Sequence, residues 1–120
     1  MDQYPTIYRC AIVVIPQQPF CDWLNKIDPS TVELLNELQQ DSNIYLVPDF
    51  ENVVDMQKAI QKYIKKNFSN IFRHELSNWY LDEDVYPVIT YKRFLEWFKL
   101  STHTMIFDTV KQGIERENLS

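Results

Sequence analysis

The sequence predicts an α/β domain in which about five helices pack on a small, three-stranded, mainly parallel sheet; an α+β domain with a mixed sheet is the alternative. Segments with strand-like and helix-like apolar spacing alternate along the chain in the order β-αα-β-αα-α-β. The first segment is nearly continuously apolar, which is typical of a parallel strand covered on both faces. The 120 residues, 45% hydrophobic and 24% charged, suit one domain. We expect it to span residues 1–108, followed by a polar tail at 109–120.

Three segments are predicted to be strands. Residues 7–15 are rich in β-branched side chains and precede a proline, and residues 44–47 form a short apolar run that also precedes a proline. Residues 101–108 alternate with a period of two, which places His103 on a face that we expect to be partly buried. Because helical segments separate the strands, a right-handed crossover would make them parallel.

Helical spacing predicts five helices between and around these strands. They cover residues 20–27, 30–38, 53–66, 68–80 and 90–98. Ser30 and Glu33 have the spacing of a capping box at the start of the second helix, and Thr90 can cap the last. Asn67, Ser69 and Asn70 predict a break between the third and the fourth helix, at residues 67–70.

The composition excludes several enzyme classes. A single glycine is present, whereas the phosphate-binding P-loop, the dinucleotide fingerprint and the nucleophile elbow each need several. His74 and Glu75 begin like the zinc motif HExxH, but Asn78 stands where the second histidine would be. The sequence therefore predicts no cofactor and no metal motif, and the two cysteines are expected to be reduced, buried thiols.

A candidate ligand site follows from the predicted direction of the strands. If they are parallel, their carboxyl ends share one edge, where ligands bind in open α/β sheets. That edge would carry the following side chains: Gln17, Asp49, Glu51, His103 and Asp108. Three carboxylates could hold a hard cation such as Mg²⁺, so a small-ligand or metal-dependent enzyme is an alternative function. The favoured interpretation is structural. Asp49 and Glu51 precede a helix, and acidic residues at that position stabilise the helix dipole by about 0.3–1 kcal/mol each. His103 is expected to be a hydrogen-bonded residue of the core.

A basic helix face is the second candidate surface. It consists of Lys58, Lys62, Lys65 and Lys66, which share one side of the third predicted helix. A solvated face is favoured, and docking of an acidic partner, RNA or an anionic surface is the alternative. General nucleic-acid binding is disfavoured, because the formal net charge of the chain is −5.

Aromatic residues indicate the favoured function. The chain has seventeen of them, more than a domain this small can fully bury, and Trp97 lies off the apolar stripe of its predicted helix. Exposed aromatics are enriched at protein contacts. We therefore expect a non-enzymatic module that binds a protein partner or associates with itself. The longest apolar run has six residues, so we expect a cytoplasmic protein without membrane insertion.

Five segments resemble a known family. They are PFCDWLN (19–25), IYLVPDF (44–50), IFRHELSNWY (71–80), FLEWF (94–98) and HTMIFD (103–108). Together they are similar to a family of small, uncharacterised bacterial proteins. The resemblance implies a bacterial cytosolic protein and, because that family has no assigned activity, it implies no catalytic role for any residue.

Overall fold

The chain forms one three-stranded sheet and, in its described part, four α-helices. The structure is a computed structural model that describes residues 3–51 and 53–119. The strands are β1 (Cys10–Pro16), β2 (Asn43–Val47) and β3 (Phe98–His103). The helices are α1 (Gln18–Ile27), α2 (Leu35–Gln40), α3 (Met56–Ser77) and α4 (Tyr91–Trp97), with a 3₁₀ turn at Glu83–Val85. None of the helices described has both the length and the apolar character that a membrane crossing needs.

The sheet is antiparallel throughout, so the prediction of a mainly parallel sheet is wrong. Its order is β2-β1-β3, and β1 pairs with both neighbours in the antiparallel direction. The α+β alternative fits better, although the sheet is antiparallel rather than mixed. The reason lies in the first connection, because α1 and α2 together return the chain to the end of β1. Asn43 therefore pairs with Val14, near the end of β1, and β2 can only run back.

The last strand begins earlier than the period-two pattern predicts. Helix α4 ends at Trp97, and Phe98, predicted as the last apolar residue of the helix, has the extended dihedral angles of β3. Beyond β3, a single bridge joins Phe107 to Thr6. His103 is exposed, so the buried face predicted for it does not form.

Two helix boundaries also differ from the prediction, for local reasons. Ser30 Oγ hydrogen-bonds the Asp28 side chain, and the Glu33 N–H donates to Asn25 Oδ1 at 2.7 Å, so α2 starts only at Leu35. Helix α3 runs through the predicted break, because burial of Ile71 and Phe72 outweighs the weak helix propensity of the polar residues before them.

The predicted cap of α4 is confirmed. The Thr90 side chain accepts a hydrogen bond from the N–H of Arg93 at 3.2 Å. Asp55 caps α3 in the same way, accepting from the N–H of Lys58 at 3.1 Å. Each bond satisfies one of the four N–H groups that a helix start leaves without a helical partner.

The core lies between the helices and one face of the sheet, and aromatic rings fill most of it. Phe20, Phe72, Phe94 and Phe98 are almost completely buried. The ring centroid of Phe72 lies 5.7 Å from that of Phe94, in a tilted arrangement, and 5.6 Å from that of Phe98, in an edge-to-face arrangement. Such pairs contribute about 0.5–1.5 kcal/mol each beyond the burial of their area. This aromatic layer holds α1, α3 and α4 against β1 and β3.

Candidate functional site

The antiparallel sheet separates the predicted ligand residues. Gln17 follows β1 and lies at one end of the sheet, whereas Asp49 follows β2 and Asp108 follows β3 at the opposite end. The Gln17 amide donates to its neighbouring backbone carbonyls, of Ile15 at 3.2 Å and of Pro16 at 3.1 Å. The predicted meeting point of all these side chains therefore does not exist.

The remaining acids fall into two different cavities. Asp49 and Glu51 line a cavity of about 230 Å³ together with Arg9, which carries a positive charge. Asp108 lines a separate cavity of about 380 Å³ and accepts a hydrogen bond from the N–H of Val110 at 2.9 Å. Across residues 3–51 and 53–119, no group of three or more His, Cys, Asp or Glu side chains could hold a metal ion.

His103 lies at the end of β3 and is exposed. Its Nε2 is 2.8 Å from the hydroxyl of Ser101, two residues back on the same face of the strand. No carboxylate orients the imidazole in this contact, so the arrangement resembles a surface hydrogen bond rather than a catalytic base with its positioning partner.

The basic face of α3 is exposed as its spacing predicts. Its four lysines are solvent-exposed, and the ion pair of the described chain joins Arg73 to Glu83 instead, at 3.5 Å. Lys65 Nζ lies 5.9 Å from the centre of the Tyr91 ring on α4, within cation–π range. Binding of an anionic partner by this face stays a prediction.

Trp97 packs against the core cluster and is therefore less exposed than predicted; its role in a protein contact stays a prediction. It is half-buried, and its ring centroid lies 5.6 Å from Phe72, 6.1 Å from Trp23 and 6.3 Å from Phe20. The short helix α4 turns it toward α1 and α3. The aromatic excess is therefore largely used inside the molecule, and the large apolar surface lies elsewhere.

That surface is the second face of the sheet. Because side chains alternate along a strand, the residues of β1 that lie between Cys10, Ile12, Val14 and Pro16 point away from the helices. The strand register places partners from β2 and β3 beside them. We call these residues the open sheet face: Ala11, Val13, Ile15, Ile44, Leu46, Lys99, Ser101 and His103.

None of the residues of the open sheet face belongs to the core cluster, although Ala11 is buried and Val13 and Ile15 are half-buried. Ile44 is 64% exposed and Leu46 is 52% exposed, whereas Val47, on the helix side, is only 3% exposed. The central strand contributes Val13 between Ile44 and Ser101. The four-residue apolar run at 44–47 predicts a short buried strand, so sequence reasoning missed this face.

A buried polar cluster joins α3 to β2 on the helix side. Glu75 is only 3% exposed, and its Oε2 accepts hydrogen bonds from Asn43 Nδ2 at 2.7 Å and from the Tyr45 hydroxyl at 2.5 Å. The Tyr45 oxygen is 2.8 Å from His74 Nδ1. Because the single hydroxyl proton goes to Glu75, His74 is assigned as the donor in that bond. Burial is the largest of three effects that raise the pKa of Tyr45 well above its ordinary value. The other two are the hydrogen bond to Glu75 and the negative charge of Glu75.

A cavity of about 180 Å³ lies beside this cluster, and Glu75 forms part of its wall. Its other acidic residues are Glu33, Glu37 and Asp41, and Trp79, a residue that is 43% exposed, also lines it. We call it the acidic cavity. Sequence reasoning missed it because His74 and Glu75 suggested only an incomplete zinc motif, while their partner Tyr45 lies 30 residues from Glu75 along the chain.

Neither a family model, nor a curated protein, nor a solved structure matches this chain.

Proposed function

We propose that the protein is a non-enzymatic association module, and that a second copy of the same chain packs on its open sheet face. The observation that carries this proposal is the position of Val13, Ile15, Ile44 and Leu46 on one face of the sheet, outside the core cluster, with Ile44 and Leu46 more than half exposed. A sheet with one apolar face uncovered is half of a sheet sandwich, whose stable form buries that face against another layer.

The chemistry of the face favours a copy of itself as the occupant. An isologous contact places the same patch on both sides, so the patch must be complementary to itself. Aliphatic side chains on two sheets can interdigitate in this way. The face has no acidic residue, and its charged or polar members Lys99, Ser101 and His103 lie on the edge strand β3. Two copies can therefore meet without opposing carboxylates, although the net charge of each chain is −5.

The size of the face predicts weak association. Three strands about 4.8 Å apart, each with five or six residues at about 3.4 Å per residue, present roughly 250 Å² of projected area. Two such faces fall short of the roughly 1,200–2,000 Å² that stable interfaces bury. We therefore expect a reversible dimer with a dissociation constant of about 10 μM or weaker.

Sedimentation velocity at concentrations from about 10 μM to about 1 mM tests the proposal. The weight-average mass should rise from that of the 14.5 kDa monomer toward twice that value. The double variant Ile44→Lys with Leu46→Lys should remain monomeric, because it places charge in the contact while edge strands tolerate exposed lysine. Both residues are already exposed, so the fold should persist.

A matched control separates the open sheet face from general surface effects. The double variant Val88→Lys with Val110→Lys also replaces two exposed aliphatic residues by lysine, outside the sheet. It should associate as the wild type does. A wild type that stays at 14.5 kDa at all concentrations would contradict the proposal, and so would equal loss of association in both variants.

A further inference from the structure

We infer that the acidic cavity binds an alkylammonium group. This inference does not depend on the proposed function, because no residue of the open sheet face lines the cavity. The walls carry Glu33, Glu37, Asp41 and Glu75 and no basic side chain, so the cavity attracts cations and repels anions.

The buried carboxylate is the specific part of the site. Glu75 is 3% exposed, and both of its hydrogen bonds go to Oε2, from Asn43 and Tyr45. Its other oxygen, Oε1, has no hydrogen-bond partner within the described residues. No fully buried side-chain oxygen or nitrogen of these residues lacks a partner, so Oε1 is accessible from outside. Because Glu75 lines the cavity, Oε1 is the acceptor left for a ligand donor there. A carboxylate oxygen so placed prefers a charged donor, whose hydrogen bond to it is about twice as strong as that of a neutral one.

The rest of the wall matches the carbon chain of an alkylammonium ion. Phe20 and Leu38 are buried and form an apolar part of the cavity wall. Trp79 does not belong to the aromatic core, and its exposed indole can stack against the cation, since tryptophan is the strongest cation–π partner. The combination of carboxylate, apolar floor and indole selects a cation with a short aliphatic stem.

The volume limits the size of the ligand. Cavities for drug-sized ligands measure roughly 300–1,000 Å³, whereas this one measures about 180 Å³. An engineered protein cavity of roughly 150 Å³ accommodates benzene, a ligand of about six heavy atoms. The acidic cavity therefore fits the butylammonium end of a small amine or of a lysine side chain, and it is too small for a nucleotide.

Titration with butylammonium chloride, followed by the Trp79 indole N–H signal in NMR spectra, tests the inference on the intact chain. We expect saturable binding, with no comparable binding of the uncharged butanol. A capped lysine peptide forms a second arm. Tighter binding of the peptide would identify a partner's lysine as the source of the ammonium group, and tighter binding of butylammonium would identify a free amine; both support the inference.

Variants locate the binding. Glu75→Gln keeps an oxygen for Tyr45 and Asn43 but removes the charge, so it should weaken butylammonium binding about tenfold or more. Glu96→Gln removes one exposed acid on α4, outside the cavity, and should leave binding unchanged. If Glu75→Gln fails to fold, Trp79→Leu and Glu37→Gln at the partly exposed wall serve instead, and each should weaken binding. Absence of saturable binding, equal binding of butanol, or equal weakening by Glu96→Gln would overturn the inference.

Discussion

Replacement of Tyr45 by phenylalanine removes one hydroxyl group from the contact between β2 and α3. The lost group donates to Glu75 Oε2 at 2.5 Å and accepts from His74. Glu75 then keeps only the hydrogen bond from Asn43. Because Glu75 is buried, solvent cannot fully replace the missing donor.

The magnitude follows from the partners. A hydrogen bond to a charged group contributes about 1.5–3 kcal/mol. Tyr45 is only partly buried and its histidine partner is exposed, so a value near the lower end of this range, about 1–2 kcal/mol, applies to Tyr45→Phe. With an unfolding entropy of about 2.1 cal/mol/K per residue, this corresponds to a decrease in melting temperature of about 4–8 °C for a chain of this length.

The pH dependence identifies the hydroxyl as the cause. The pKa of Tyr45 is raised in the folded protein, whereas the unfolded chain has the ordinary tyrosine value of about 10. Below pH 10 the residue is protonated in both states, and its contribution is complete. Above about pH 10 only the unfolded state loses the proton, so the free energy of unfolding falls by up to about 1.4 kcal/mol per pH unit. The advantage of the wild type should therefore disappear near pH 11.

Urea denaturation of wild type and Tyr45→Phe at several pH values between about 7 and 11 provides the comparison. Burial also raises the pKa values of Cys10, Cys21 and Tyr86, but these residues are present in both proteins, so their effect cancels in the difference. Tyr8→Phe, at an exposed tyrosine, should change the free energy of unfolding at neutral pH by less than about 0.5 kcal/mol. A difference for Tyr45→Phe that is equal at pH 7 and pH 11, or absent at pH 7, would refute the reasoning.

Three further substitutions or modifications test the core, a cap and the thiols. Phe72→Ala removes a fully buried ring that contacts three others, so urea denaturation should show a loss of about 3–5 kcal/mol, and a loss below about 1 kcal/mol would disprove the account of the core. Thr90→Ala should lower the free energy of unfolding by about 1 kcal/mol, with Thr90→Ser restoring most of it. Burial raises the pKa values of the Cys10 and Cys21 thiols, so iodoacetamide at about pH 8 should alkylate them slowly unless urea unfolds the chain; fast alkylation of the folded protein argues against their burial.

The positions of most elements could be predicted from apolar spacing, but the directions of the strands could not. β1, α1 and α4 lie close to their predicted ranges, because their apolar periodicities are strong and their boundaries carry proline or a capping threonine. The direction of a strand depends on the end of the sheet to which the connecting helices return the chain. The return of α1 and α2 to the end of β1 depends on the loop around Asn25 and Glu33, whose hydrogen bond has no signature in the sequence.

The surfaces were harder to predict than the elements, for two physical reasons. Apolar residues at 44–47 indicate a strand equally well whether one or both of its faces are buried. The exposure of Ile44 and Leu46 therefore cannot be predicted from the sequence. Helical spacing alone predicts Trp97 on the surface, whereas packing of the short helix α4 against α1 brings it next to Trp23. The lysine face of α3 was placed correctly, because a long helix that packs on a core exposes its polar side.

The open sheet face is tested most directly by NMR spectra of the amide groups recorded over a range of protein concentrations. Contact between two copies should shift the amide signals of Val13, Ile44 and Leu46 as the concentration rises, while signals in the middle of α3 stay in place. Shifts confined to the helices, or no shift at any concentration up to about 1 mM, would contradict the account.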